Sequence, residues 1–303
     1  MKAVIPAAGH GTRFLPLTKG QPKEMLPVVD KPTIQYVVEE AIAAGVDDII
    51  IITGRDKRAI EDHFDRSSEL EHFLKEHGKE RELKQVQEIS SLAEIHYVRQ
   101  KTPRGLGDAI YCARKHVGDE PFAVMLGDTI HVSEVPVVKQ LMDVQHQVGG
   151  SVIAVEQVPR EKIKDYGIIA GNRVRDRLYK VMDLVEKPQP DAAPSNIAIA
   201  GTYVLSPGIF ECIERTKPGY NNEIQLTDAL RLLMQKEDIH AWQFHGKRYD
   251  VGDMLGWMRT NFELTLKSDA YGKQLKEFLT PLLNDSGGTC SFELPSEKPA
   301  IEK

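Results

Sequence analysis

Apolar positions along the chain switch between two periods, and the switching predicts the fold. A short apolar strand covers Ala3 to Ile5 and runs into a loop. Pro32 then opens a segment with apolar residues at Ile34, Val37, Val38, Ala41 and Ile42, the spacing of a helix that closes at Gly45. Asp48-Ile49-Ile50-Ile51-Ile52-Thr53 is a continuous β-branched run, the pattern of a strand buried on both faces. Further strands are predicted at Ile95 to Val98, Phe122 to Leu126 and Ser151 to Val155, with helices over Gly107 to Lys115 and Val135 to Gln147. Such alternation predicts an α/β fold, a Rossmann-like, mostly parallel central sheet flanked by helices.

Beyond residue 151 the pattern changes. Short strands at Tyr166 to Ala170, Val181 to Val185 and Ile197 to Leu205 are separated by turns such as Gly171-Asn172 rather than by full helices, which predicts mixed or antiparallel sheet added to the parallel core. After Tyr249-Asp250-Val251-Gly252 the chain reads as helical to about Leu283, and Asn284 to Lys303 has the Gly/Ser/Pro/Glu/Lys-rich make-up of a disordered tail. One core over 1–252, a helical segment over 253–283 and a tail over 284–303 is the resulting organisation. The charged stretch Ser67 to Ser91 carries Ser68-x-x-Glu71 ahead of Phe73 and Leu74, and is expected to be a helical insert opened by a capping box.

Composition narrows the function classes. The 303 residues suit two domains or one large α/β domain, and 41% apolar with 28% charged residues is an ordinary water-soluble make-up. With 39 Lys+Arg against 45 Asp+Glu, the net charge of −6 argues against broad binding to nucleic acid or to anionic membrane, so any anion site must be local. No run approaches the roughly 18 apolar residues of a spanning helix, and the opening apolar stretch is too short for a signal peptide, so a cytosolic protein is expected. Cys112, Cys212 and Cys290 have no paired spacing, and the ten His show no metal-ligand pattern.

The stretch with most chemistry in it is the first loop, Pro6-Ala7-Ala8-Gly9-His10-Gly11-Thr12-Arg13-Phe14, directly after a strand. Small residues there let backbone N–H groups approach a phosphate. A dinucleotide fingerprint fails because Phe14 stands where a third small residue is needed and Pro16, Pro22 and Pro27 block a helix. A P-loop fails because neither Gly9 nor Gly11 begins G-x-x-x-x-G-K-[ST]. What the residues leave is a glycine loop with fixed cations, Arg13 and Lys23: a phosphate site or an ordinary surface turn.

Taken with Pro22-Lys23-Glu24-Met25-Leu26-Pro27 and Asp30-Lys31-Pro32, this loop resembles the sugar-nucleotidyltransferase family, and the Lys-Glu-Met-Leu-Pro form resembles its uridylyl branch. Further similar stretches are Phe64 to Ser67, Gln100, Gly105-Leu106-Gly107, Leu126-Gly127-Asp128, Val185-Glu186-Lys187-Pro188, Gly201 to Ser206, Glu223 to Asp228 and Tyr249 to Gly252, spanning about residues 2 to 266. The resemblance implies attack of a sugar-1-phosphate oxygen on the α-phosphorus of UTP, giving UDP-glucose from glucose 1-phosphate and releasing pyrophosphate. Ala7, Ala8, Gly9, Gly11 and Thr12 would form the nucleotide loop, Arg13 and Lys23 the positive charge over the triphosphate, and Gln100 with Gly105 the base-reading pair. Asp128 and, by the family pattern, Asp250 would hold Mg²⁺. Glu186 would take sugar hydroxyls, Lys187 the sugar phosphate, and Gly167 and Gly201 would give the hexose room. The resemblance thus divides the core into a nucleotide half, about 1–150, and a sugar-phosphate half, about 151–252. By analogy it implies a homodimer or tetramer joined through the helical segment from Asp253. Thr202 stands where the branch usually has Arg, Asp108 where many members have His, and Gly20 where Ala is usual.

Overall fold

A computed structural model describes residues 1–284. Parallel pairing begins with β1 (Lys2–Pro6), whose Ala3, Val4 and Ile5 are fully buried. The loop after it is not a helix but three 3₁₀ turns, Thr12–Phe14, Leu17–Lys19 and Lys23–Met25, as the prolines require. A small ribbon, β2 (Pro27–Val28) with β3 (Lys31–Pro32), leads into α1 (Thr33–Ala43). Next come β4 (Asp48–Thr53), α2 (Arg58–Phe64), α3 (Ser68–Glu76), α4 (Glu80–Ser90), β5 (Glu94–Arg99), α5 (Leu106–Tyr111), α6 (Arg114–Val117) and β6 (Phe122–Met125).

The chain continues through β7 (Thr129–Val132), α7 (Val137–Val148), β8 (Ser151–Gln157), β9 (Gly167–Arg175), β10 (Leu178–Glu186) and β11 (Ile197–Leu205). It then forms α8 (Gly208–Arg215), α9 (Leu226–Leu233), β12 (Ile239–Gln243), β13 (Lys247–Asp250), α10 (Met254–Lys267) and α11 (Gly272–Asn284). Nine strands make one sheet in the order β5-β4-β1-β6-β11-β8-β12-β10-β9. Its first four strands are parallel, β8 and β12 are parallel, and the remaining neighbours are antiparallel. The order runs away from β1 on both sides, to β4 and to β6, so the carboxyl ends of β1 and β6 flank the switch point where open α/β sheets take up ligands.

Four details differ from the pattern reading. Gly171-Asn172 is not a turn; both residues pair within β9, opposite Val181 and Lys180 and next to a bulge on β10 between Val181 and Asp183, and the hairpin turns at Asp176-Arg177, where Arg177 takes φ 59°. The insert is two helices, and no capping box forms. Ser67, not Ser68, is the N-cap, and the Glu71 carboxylate instead accepts from Arg66 (2.8 and 3.0 Å) and Gln87 (3.1 Å). The helix expected over Gly107 to Lys115 divides into α5 and α6, and the C-terminal helical run breaks between Lys267 and Gly272. Cys112 and Cys212 are free thiols. Cys290 and, after Asn284, the expected tail lie outside the described residues. No helix among the described residues is long and apolar enough to cross a membrane.

Outside the sheet, α10 is tied to β13 through Glu263. Its carboxylate accepts from Lys247 at 2.6 Å, Lys267 at 2.8 Å and Tyr249 at 2.8 Å, and these bonds, that from Lys247 foremost, hold its pKa down at about 2. A carboxyl held below its ordinary 4.5 adds stability above that pH and loses it as the pH falls towards 2. Glu263→Gln is therefore expected to melt below the wild type at neutral pH, with the gap closing as the pH drops below 4.5. Thermal denaturation across that range checks this, and a gap that ignores pH would count against the charge.

Candidate active site

The first loop turns outward because Phe14 is fully buried and anchors it, which leaves His10, Thr12 and Arg13 exposed. Gly11 sits at φ 65°, and a Cβ there would lie 3.2 Å from the Thr18 side chain and 3.4 Å from that of Lys23, so the turn is closed to larger residues. The turn Lys23–Met25 then aims two charges in different directions. Glu24 is 1% exposed and accepts from the buried Lys57 at 2.9 Å, while Lys23 reaches Asp128, 105 residues away, with a short hydrogen bond to Oδ2.

Burial works against both members of the Lys23–Asp128 pair, and their mutual attraction outweighs it. Desolvation pushes the Asp128 carboxyl up, but the Lys23 ammonium holds it below the usual carboxylate value; desolvation pushes Lys23 down, and Asp128 and Glu24 raise it well above normal. Both are charged at neutral pH. Glu24 differs: burial raises its carboxyl despite Lys23 and Lys57 beside it.

Asp250 reaches the same place by strand pairing. In the antiparallel ladder of β13 on β7, Asp250 stands opposite Thr129, next to Asp128, and Val251 N–H donates to the Asp128 carbonyl at 3.1 Å. Asp250 accepts from Tyr166 Oη at 2.8 Å and from Gly252 N–H at 2.9 Å. The position a Cβ on Gly252 would take lies 2.8 Å from Asp250 Oδ1, 3.7 Å from Arg13 and 3.9 Å from Asp128 Oδ2, so two carboxylates and a guanidinium face one point. Among the described residues no three or more His, Cys, Asp and Glu converge on a metal-sized site. A pair of Asp oxygens suits Mg²⁺, which takes one or two carboxylates and completes its shell with water and phosphate.

The other wall comes from β9, β10 and β11. Glu186 pairs with Gly167 across the β9–β10 hairpin, and its Oε2 accepts from Thr227 Oγ1 at 2.7 Å. Lys187, directly after β10, takes φ 44°, a left-handed conformation uncommon for a side chain of this size. Its N–H donates to Tyr166 at 3.1 Å, and its ammonium lies 3.5 Å from Glu186 and 5.3 Å above the Tyr220 ring. Gly201 falls at the irregularity in β11 and packs on Leu126 and Thr129.

One cleft of about 350 Å³ brings Gly11, Thr12, Arg13, Lys23, Asp128, Gly167, Glu186, Lys187, Gly201 and Asp250 together. Ala7, Ala8, Gly9, Gln100 and Gly105 do not line it. Gln100, 4% exposed, borders a neighbouring hollow with Arg99, Lys101 and Arg104. A Cβ on Gly105 would lie 2.8 Å from the Ile224 carbonyl oxygen, so crossing backbone passes where a side chain would stand. The sequence reading gave no role to Tyr166, Thr227 or Arg248. Thr227 lies in the quoted Glu223 to Asp228 stretch and Arg248 adjoins Tyr249 to Gly252, which were the available signals. Arg248 bonds Glu156 at 2.6 Å and stacks 4.3 Å over the Tyr166 ring.

Fixed cations and facing carboxylates at the switch point of an α/β sheet define a class of protein that handles phosphate esters. The match to known proteins is closer than that: the model of the nucleotidyl transferase family covers residues 2–265, and this chain belongs to that family. UTP–glucose-1-phosphate uridylyltransferase YngB of Bacillus subtilis (strain 168) is 55% identical over 282 residues, 93% of this chain and 95% of the relative. A crystal structure of UDP-glucose pyrophosphorylase complexed with UDP-glucose is 46% identical, covers 88% of this chain and 99% of its own, and superposes with a TM-score of 0.82. A UTP-bound UGPase from Acinetobacter baumannii is 36% identical, with 92% and 98% coverage and a TM-score of 0.83.

Asp128→Asn keeps the side chain's shape and removes the charge that holds Lys23. Turnover is expected to fall on the order of 10²-fold or more in a protein that still melts cooperatively. Near wild-type turnover at saturating Mg²⁺ would take Asp128 out of the chemistry.

Proposed function

We propose that the chain transfers the uridylyl group of UTP to glucose 1-phosphate, yielding UDP-glucose and pyrophosphate. The observation that carries this reading is the single cleft in which Arg13, Lys23 and Asp128 from the parallel side meet Glu186 and Lys187 from the mixed side. It fits the names of relatives aligned over nearly the whole chain. A phosphate oxygen of glucose 1-phosphate forms a bond to the α-phosphorus of UTP, the bond from that phosphorus to the bridging oxygen breaks, and pyrophosphate leaves with the electron pair. Such a transfer calls for positioning and charge stabilisation and for no protein nucleophile.

Each group then has a task. Gly9 and Gly11 with Ala7, Ala8 and Thr12 give the triphosphate a close backbone approach, and Arg13 and Lys23 carry positive charge for the departing pyrophosphate. Gln100, at the carboxyl end of β5, and the Gly105 loop take the base. Glu186, held by Thr227, accepts from sugar hydroxyls beside Gly167 and Gly201, and Lys187 binds the sugar phosphate. Asp128 and Asp250 would hold Mg²⁺, which when bound draws charge from the phosphate oxygens. Residues 1–150 are the nucleotide half of the core and 151–252 the sugar-phosphate half. The exposed Leu255, Met258, Phe262 and Leu266 on α10 recur at helical spacing, which supports a homodimer or tetramer packed through the 253–283 segment, and a cytosolic location belongs to the same reading.

Pyrophosphate release measured across a matrix of nucleoside triphosphates and sugar 1-phosphates tests the reaction. UTP with glucose 1-phosphate is expected to give the highest kcat/KM, and a clear preference for dTTP or for another hexose 1-phosphate would move the assignment within the family. No release with any pair would leave a non-catalytic member.

Lys187→Ala tests the sugar-phosphate side. Because this ammonium both binds the anion and offsets its repulsion from UTP, KM for glucose 1-phosphate should rise and kcat fall, with UTP affinity nearly unchanged. Arginine should rescue only in part, since a planar fork does not fill the place of a compact ammonium. Steady-state kinetics with each substrate varied in turn decides it: unaltered constants for glucose 1-phosphate would remove Lys187 from the site.

A further inference from the structure

Beside the cleft lies a buried polar relay whose chemistry bears on base selection. Asp108, in the first turn of α5 and 6% exposed, accepts at Oδ1 from both Arg104 Nε (3.1 Å) and Arg104 Nη2 (2.6 Å). At Oδ2 it accepts from Gln100 Nε2 at 2.6 Å, and the same nitrogen lies 3.4 Å from the Gly105 carbonyl oxygen. Both neighbours of that nitrogen are acceptors only: a carboxylate clasped by a guanidinium, and a backbone carbonyl. The amide of Gln100 therefore has one orientation. Turned over, its Oε1 would face a carboxylate oxygen and both bonds would be lost. In the orientation present, no group among the described residues donates to Oε1.

We propose that Asp108 is a base-selecting positioning residue: by holding Gln100 Nε2, it fixes Oε1 as an acceptor for the ring N3–H of uracil. This rests on the reading above that the nucleotide base docks at Gln100. Uracil offers an N–H at position 3 beside a carbonyl at position 4, whereas cytosine offers a bare ring nitrogen beside an amine, the reverse polarity. An amide free to turn serves either base. An amide clamped by a carboxylate serves the imide edge and sets its oxygen against the bare nitrogen of cytosine. Sites that match a donor to an acceptor discriminate by leaving the wrong ligand's buried polar atoms unpaired. Arg104 completes the device by occupying Oδ1, which keeps Oδ2 for Gln100.

Asp108→Asn undoes the clamp without changing its shape. Asparagine has one oxygen, and the donor-only guanidinium of Arg104 takes it, so the amide nitrogen faces Gln100 and turns it over. The measurement is kcat/KM for UTP and for CTP at saturating glucose 1-phosphate, with melting curves to confirm the fold. The UTP-to-CTP ratio is expected to fall about 10-fold or more, with KM for glucose 1-phosphate unchanged. Loss of packing alone would lower both nucleotides together and leave the ratio standing. A ratio within about 2-fold of the wild type in folded Asp108→Asn overturns the proposal. Gln100→Leu keeps the test open should that variant not fold: its ratio must fall as well, and an unchanged ratio there is equally fatal. Wild-type protein separates the two levels, because failure to make UDP-glucose from UTP and glucose 1-phosphate overturns the function itself, while success with an unmoved ratio overturns only the clamp.

Discussion

The ion pair between Lys23 and Asp128 is the contact on which the arrangement of the cleft depends. It joins the first loop, which follows β1, to the end of β6, two strands that pair in parallel at the centre of the sheet. Each partner alone would be a charge taken largely out of water, and a buried pair broken on one side is a strongly unfavourable state. Glu24 strengthens the pull on Lys23 and is itself answered by Lys57 at 2.9 Å. Alternating charge from Lys57 through Glu24 and Lys23 to Asp128 therefore pins a proline-rich segment that has no regular helix of its own. Neither end of this chain of charges can move without stranding the next.

The carboxyl side of the site depends on backbone pairing rather than on ion pairs, which decides how much of it the sequence discloses. Asp128 is legible because it follows an apolar strand by three residues, and the glycine loop because it follows β1 at once. Asp250 is 122 positions from Asp128, and only the antiparallel register of β13 on β7 sets them together; four-residue strands of ordinary composition give no pattern that announces such a ladder. Resemblance supplied that residue where periodicity could not. Tyr166 and Arg248 escaped for the same reason: the first precedes a strand and the second begins inside one, and their stacking exists only once β9 and β13 are placed.

Local signals failed where tertiary pairing overrode them. Gly171-Asn172 carries turn residues, but the β9–β10 hairpin pairs them with Val181 and Lys180, next to a bulge between Val181 and Asp183 on β10, and turns only at Asp176-Arg177. Ser68-x-x-Glu71 has the spacing of a capping box, yet Arg66 and Gln87 offer Glu71 a bidentate cation and an amide, a stronger set of donors than one backbone N–H. Gly105 is expected to read the base together with Gln100, and its lack of a side chain has a second reason. The segment Glu223-Ile224 crosses against it, which couples the loop bearing Gln100 to the motif bearing Thr227.

That coupling, and the pairing of nearly every cation, bear on how the cleft discriminates among anions. Lys23 is held by Asp128, Arg248 by Glu156 and Lys187 by Glu186. Of the cations lining the cleft, Arg13 alone is in ion-pair contact with no carboxylate among the described residues, although its charge is felt by Asp128. Except at Arg13, an incoming phosphate must therefore exchange places with a carboxylate rather than fall onto bare charge. Bulk electrostatic attraction is weak in a chain of net charge −6, so affinity has to come from an anion whose oxygens reach several of these cations at once. A cleft of this kind is expected to hold only weakly an inorganic anion that meets one lysine at a time. It responds to a molecule long enough to engage the loop after β1 and the turn after β10 together, which is what bringing a nucleoside triphosphate and a sugar phosphate into one line requires.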